Sequence, residues 1–238
     1  MAIVNLEGLR EPVYRVIQPL TSWLVSGRVH PNALTTIGFA VTCSSAFFFH
    51  DHHVRTAGFL ILLGGLFDIL DGRVARLSGL GSKFGAFYDS TLDRISEIAV
   101  HFGLLSLYND YRLDTGDVGM IYLIMLAMAG SLMISYTRAR AESLGLDAEV
   151  GLMARAERVV LIGGSALFFG LNWNGLVLKA VIFILAVLTN ITAIQRILYV
   201  YRQGAGVPLP GAVRPAARVD IEPLETEPVT TAAEVSKE

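Results

Sequence analysis

Three features of this sequence predict an all-α integral membrane protein: six transmembrane helices preceded by an N-terminal interfacial amphipathic helix. The first is composition. Of 238 residues, 53% are hydrophobic and 17% charged, and the mean hydropathy is +0.54; soluble domains carry roughly 25% charged residues. The second is the recurrence, along most of the chain, of apolar runs near the 20 or so residues that a bilayer crossing needs. The third is the placement of cations. With the N-terminus inside, Arg73, Arg76, Lys83, Arg138, Arg140, Arg155 and Arg158 fall on the inner side, whereas Arg55, Arg112 and Lys179 fall outside. By the positive-inside rule both termini are cytoplasmic, in a multi-pass protein of the cell (cytoplasmic) membrane.

The elements follow in order. Residues 1–27 form the interfacial segment, because Val4, Leu6, Leu9, Val13, Val16, Ile17, Leu20 and Leu24 alternate with charged and polar positions. Glu7, Arg10, Glu11 and Arg15 interrupt the first twenty residues, so no cleavable signal peptide is expected. Pro31 and Asn32 open the first span, 33–50, and further spans are predicted over 55–76, 84–108, 117–142, 156–171 and 176–201. Residues 28–203 thus make one helical domain. The segment 204–238, rich in proline and glutamate, is expected to be a disordered cytoplasmic tail. The net charge of −2 gives no electrostatic support for nucleic-acid binding. The single cysteine, Cys43, allows no intrachain disulfide and is expected to pack in the core. "HDHH", residues 50–53, reads as a solvated outer loop.

The stretch FDILDGRVARLSGLGSKFGAFYDSTLDR, residues 67–94, holds four aspartates between apolar segments. At 100° per residue, Asp68, Asp71, Gly72 and Ala75 fall within an arc of about 100° on one helix face. Gly85, Asp89 and Asp93 follow at i, i+4, i+8 on the next helix, and Gly79 and Gly81 supply the reversal between them. Two faces, each carboxylate-lined and floored by small residues, are thereby brought together. Carboxylates about 5 Å apart repel by about 3 kcal/mol per pair at an effective dielectric near 20. Two hard divalent cations would neutralise four aspartates and match their oxygens. Paired metals of this kind suit in-line phosphoryl displacement. Arg76, on the flank of the same helix, is placed to bind a substrate phosphate, and Asp93, deepest in its helix, is the candidate base. Solvated boundary carboxylates would leave the spaced small residues without a role. An acidic ion pathway predicts carboxylates spread over repeats, and no internal repeat is visible. An intramembrane prenyltransferase would divide its aspartates between distant helices and release pyrophosphate.

The same residues resemble a known family. Asp68, Asp71, Gly72, Ala75, Arg76, Gly85, Asp89 and Asp93 match the CDP-alcohol phosphotransferase signature, D-x2-D-G-x2-A-R-x8-G-x3-D-x3-D, at every specified position. The resemblance covers about residues 25–202. It implies that Asp68, Asp71, Asp89 and Asp93 bind two divalent ions, commonly Mg2+ with Mn2+ as the alternative, and that Asp93 is also the general base. It further implies that Asn32, Ala33, Leu34, Thr35, Gly72, Ala75, Arg76, Ser82 and Gly85 form the site for a CDP-linked lipid such as CDP-diacylglycerol. The implied reaction is transfer of a phosphatidyl group to an alcohol with release of CMP, in phospholipid biosynthesis, by an enzyme that is often a homodimer.

The acceptor is addressed by other arginines. SYTRARAESLG ends the fourth span, MARAERVV opens the fifth, and Arg196 lies inside the apolar TAIQRILYV. A charge within a span normally faces the bundle interior, so Arg138, Arg155 and Arg196 are expected to converge on one anion. These segments resemble the inositol-phosphate-using subgroup, the phosphatidylinositol-phosphate and archaetidylinositol-phosphate synthases, with Ala156 where that subgroup has proline. The resemblance implies that Arg138, Arg155 and Arg196 bind the acceptor phosphate. Glycerol 3-phosphate is the alternative acceptor.

Overall fold

In a computed structural model of the chain, described over residues 7–110, 117–148 and 150–205 (backbone alone for 7–15), every regular element is a helix. These are α1 (Glu7–Ser26), α2 (Pro31–His50), α3 (Val54–Ser78), α4 (Lys83–Asn109), α5 (Val118–Ser143), α6 (Arg155–Phe169) and α7 (Asn172–Gly204). The predicted boundaries agree to within a few residues. Residues 1–6, Arg112 and the expected tail beyond 205 lie outside the described residues.

Local chemistry sets the ends. Pro31 sits at the first position of α2, where its missing N–H is not needed, and His30 caps that helix by accepting from the Asn32 amide. Gly79, at φ 69°, closes α3 in the left-handed conformation that favours glycine. Ser82 caps α4 with its hydroxyl 2.9 Å from the Gly85 amide that donates to it. Only four residues therefore separate α3 from α4, and the aspartates on both sides of that reversal are held at one end of the bundle. Near the start of α7, Trp173, Asn174 and Gly175 are left-handed (φ 52°, 56° and 67°), so its straight portion begins close to the predicted 176.

Among the described residues, α2, α5 and α7 are long and apolar enough to cross a membrane. α3 and α4 have the length, at 25 and 27 residues, but carry the aspartates and arginines. α6, at 15 residues, rises only about 22 Å at 1.5 Å per residue. A sequence window cannot separate these cases, because a helix that lines a polar site and a helix that faces solvent have similar average hydropathy.

α2 packs against both α3 and α4, α3 against α6, and α5 against α7; α1 lies along α3. Much of the main apolar cluster lies at the end away from the aspartates, where Phe49, Val54, Leu107, Met120 and Leu178 meet. A smaller cluster of Ile17, Leu24, Leu34, Leu70 and Val74 joins α1 and α2 to α3 beside the aspartates, and Arg73 donates to the Gln18 side chain at 2.8 Å. Helices in lipid gain little from burying apolar surface against one another, so small residues and close backbone approach drive their association. That device is present where α4 crosses α2: a Cβ on Gly103 would lie 2.6 Å from Ala46 Cα. In the "HDHH" segment His50, Asp51 and His53 are exposed and His52 is half-buried. His52 lies 3.2 Å from Asp110, and His50 Nδ1 lies 2.7 Å from Ser106 Oγ, which ties the far ends of α2 and α4.

Gly103→Ala forces a methyl group into the Ala46 backbone and should lower the detergent-solubilised melting temperature by several degrees, since overpacking costs about 1–3 kcal/mol. Gly164→Ala adds a methyl that meets nothing within 4 Å and should leave melting unchanged or slightly raised. Equal effects of the two substitutions would contradict the close-approach account of α2 on α4.

Candidate active site

α3 presents Asp68 and Asp71, and α4 presents Asp89 and Asp93, around a small cavity that Thr35, Gly38 and Thr42 of α2, Ser96 of α4 and Arg155 of α6 also line. One oxygen from each of Asp68, Asp71 and Asp89 lies within 4.8 Å of the others. Asp71 is only 5% exposed. Its Oδ2, like Oδ1 of Asp89, is buried without a hydrogen-bond partner. A buried carboxylate oxygen left without a donor is strongly disfavoured. Hard divalent cations satisfy such atoms, since they take oxygen ligands and supply the missing positive charge. The residues present therefore fit a divalent metal centre.

The fourth aspartate is engaged differently. The Arg155 guanidinium bridges the two helices, with Nη1 3.0 Å from Asp68 Oδ2 and Nη2 2.6 Å from Asp93 Oδ1. One cation thus offsets the first aspartate of the series and the last. The spacing of the aspartates does not foretell this contact, because Arg155 arrives from a helix more than sixty residues further along.

The expected CDP-lipid positions divide into groups. Asn32, Ser82 and Gly85 meet at one point: a Cβ on Gly85 would lie 3.2 Å from both Asn32 Oδ1 and Ser82 Oγ, so glycine there lets the α2 and α4 N-termini approach. Gly72 and Arg76 also belong together, the guanidinium folding back to 3.5 Å from where a Gly72 Cβ would stand. Ala75 is half-buried, one turn beyond Asp71, and Thr35 is buried in the aspartate cavity wall. Ala33 is exposed. Leu34 is 3% exposed and packs in the apolar cluster with Leu70 and Val74; its side chain is core, which leaves only its backbone to face a ligand.

In this structure each of the three expected acceptor arginines is engaged by groups of the protein itself. Arg138, on the exposed end of α5, pairs with Glu142 one turn on at 2.7 Å. Arg196 is 9% exposed. It donates through Nε to the Val150 carbonyl at 2.8 Å and through Nη1 to the Ile134 carbonyl at 2.7 Å. Those carbonyls end up near a buried cation because α5 and the segment before α6 both close against α7. Arg155 reaches the aspartates directly, at Asp68 and Asp93.

One pair had no assigned role in the sequence. Arg158 Nε lies 2.7 Å from Glu97 Oε1 and its Nη2 3.1 Å from Oε2. The signal was present, since Glu97 stands one turn beyond Asp93 and Arg158 one turn beyond Arg155.

The geometry gives a helical bundle with apolar helices and a carboxylate cluster that fits divalent cations at one end, and comparison with known proteins gives the class. Residues 28–193 match the family described as CDP-alcohol phosphatidyltransferase. The archaetidylinositol phosphate synthase of Pyrococcus horikoshii is 34% identical over 193 residues, covering 81% of this chain and 94% of that protein. The phosphatidylinositol phosphate synthase of Mycobacteroides abscessus is 34% identical over 191 residues, covering 79% and 84%. Among solved structures, phosphatidylinositol phosphate synthase from Mycobacterium tuberculosis with CDP-DAG bound superposes with a TM-score of 0.70 at 30% identity, covering 85% of this chain and 99% of that one. The same enzyme in complex with manganese and citrate also has a TM-score of 0.70. The chain belongs to the CDP-alcohol phosphatidyltransferase family, and it is an enzyme of that family and an integral membrane protein with several helical spans.

Two variants separate the roles of the charged groups. Asp71→Asn removes a buried carboxylate charge from the cluster and should weaken Mn2+ binding, read by electron paramagnetic resonance, by about tenfold or more. Arg196→Met takes the donor from the Val150 carbonyl, while the Ile134 carbonyl keeps the Thr137 hydroxyl, and should destabilise the fold by about 1–3 kcal/mol, read as a lower melting temperature with Mn2+ affinity unchanged. A reversal of the two outcomes would sink this assignment.

Proposed function

We propose that this protein transfers the phosphatidyl group of CDP-diacylglycerol to inositol phosphate and releases CMP, in phospholipid biosynthesis. The observation that carries the reading is the aspartate cavity itself: the four signature aspartates of two helices stand around it, with an arginine from a third helix against two of them. Relatives bearing inositol-phosphate synthase names at 34% identity support the choice of acceptor. So does a 30% identical structure with CDP-DAG bound for the donor.

Asp93 is the base. It takes the proton of the acceptor hydroxyl, whose oxygen forms a bond to the phosphorus that carries diacylglycerol. The bond from that phosphorus to the bridging oxygen breaks, and CMP departs with the electron pair. Asp68, Asp71, Asp89 and Asp93 would hold two Mg2+ or Mn2+ ions, which supply positive charge against the phosphoryl oxygens in the transition state. Gly72 leaves open the face over which Arg76 lies, so a nucleotide phosphate can approach backbone there while the guanidinium binds it. Arg155, already against Asp68 and Asp93, would bring the acceptor phosphate next to the base. Arg138 and Arg196 would complete that anion site after exchanging their present partners.

The fold is read as six spans, α2 to α7, with α1 in the interface. Cationic residues concentrate at the aspartate end, which favours a cytoplasmic active site. Polar substrates would then come from the cytoplasm, and the lipid tails would stay between helices in the membrane.

Purified protein with Mg2+ and CDP-diacylglycerol should release CMP with inositol phosphate and not with glycerol 3-phosphate, free inositol or serine. Release with glycerol 3-phosphate instead would keep the chemistry and replace the acceptor. Asp93→Asn should reduce CMP release about 10²–10⁴-fold, the range for loss of a positioned base. Activity of that variant equal to wild type would remove Asp93 from the mechanism.

A further inference from the structure

We infer that the Glu97–Arg158 ion pair is a positioning device for Arg155, and through it for the acceptor. This rests on the phosphatidyltransferase reading above. α6 packs on α3 and α7, while its polar side chains cross to α4 as a ladder of two rungs. The outer rung is Arg155 with Asp93 and Asp68. The inner rung, one turn further along both helices, is the two-point contact of Arg158 with Glu97. A second cavity separates the rungs from the apolar core, lined by Ser96, Glu97, His101, Arg155, Arg158 and Val159.

Arg155 is the first residue of α6, and a helix start is held only by what caps it. Ala154 has no side-chain acceptor. The first turn is closed by Glu157, which accepts from the Ala154 amide at 2.8 Å. That bond is local and does not place the turn relative to α4. Arg158 does so, because it reaches both ways: its Nη1 donates to the Met153 carbonyl at 3.4 Å, and Nε and Nη2 donate to Glu97. Glu97 stands on α4 in the middle of a 27-residue helix, so its carboxylate gives Arg158 an anchor on a second element. Arg155 is thus bracketed between residues 153 and 158, both anchored by one guanidinium that is 2% exposed. Neither Glu97 nor Arg158 borders the aspartate cavity, whereas Arg155 lines both that cavity and the one beside the pair, which makes Arg155 the charged group through which the pair bears on the reaction.

The test compares wild type with Glu97→Leu/Arg158→Met, since replacing a buried pair by apolar residues of similar volume is often neutral for stability. The expected result is an acceptor KM raised about tenfold or more, with the KM for CDP-diacylglycerol within about twofold of wild type. The Kd of inositol phosphate, measured by calorimetry without CDP-lipid, should rise in parallel. Arg158→Lys, which keeps the charge and loses the two-point geometry, should fall between. A purely structural pair would lower the melting temperature or active yield and leave both KM values alone, and that outcome in either variant overturns the inference. A wild type that releases no CMP with any acceptor overturns the phosphatidyltransferase reading and this inference with it. An active wild type with acceptor KM unchanged in the variants overturns the inference alone.

Discussion

The structure is organised by a charge that the bundle has to accommodate. Four carboxylates sit on two adjacent helices, two of their oxygens are buried without a donor, and each close pair repels by about 3 kcal/mol at an effective dielectric near 20. Such a group persists with positive charge beside it or with some of its carboxyls protonated. The chain supplies part of that charge through Arg155, which spans Asp68 and Asp93. Divalent cations, which suit the three-carboxylate cluster, would supply more of it. The short reversal from Gly79 to Ser82 and the placement of the α6 start serve that one arrangement.

The two ends of the bundle are correspondingly different in construction. Away from the aspartates, Phe49, Leu107, Ile124 and Leu178 pack into an apolar cluster, and small residues such as Gly103 let helices touch backbone to backbone. At the aspartate end, packing density gives way to hydrogen bonds, caps and ion pairs that cross between helices. The apolar end holds the helices together, and the polar end carries the cavity. α1 completes this end from outside through its contacts with Leu70 and Val74.

The arginines illustrate how one residue type takes distinct roles. Arg196 holds carbonyls of α5 and of the segment before α6 against α7. Arg158 holds α6 to α4, Arg155 meets the carboxylates, and Arg138 remains on the exposed surface with Glu142. A cation inside a span is expensive to bury alone, so each buried guanidinium here is matched by acceptors on another element. The match determines which of them is close enough to a phosphate to act on it.

Much of the fold and half of the site were legible along the chain, because they depend on short-range periodicity. Helix boundaries follow from apolar runs, capping residues and glycine or proline at their ends. The faces carrying Asp68 with Asp71 and Asp89 with Asp93 follow from the 100° turn per residue, and the reversal between them spans only a few residues. What periodicity does not contain is which helix faces which. That Arg155 bridges Asp68 and Asp93, that Arg196 serves carbonyls at residues 134 and 150, that Leu34 is core and that Glu97 meets Arg158 are all contacts between residues tens of positions apart. The sequence by itself determined the helices, their polar faces and the chemistry those faces can perform. Only the tertiary structure decided how the cations were shared among them, because a guanidinium bonds to whichever acceptors packing brings within 3 Å or so, and packing is a property of the whole bundle.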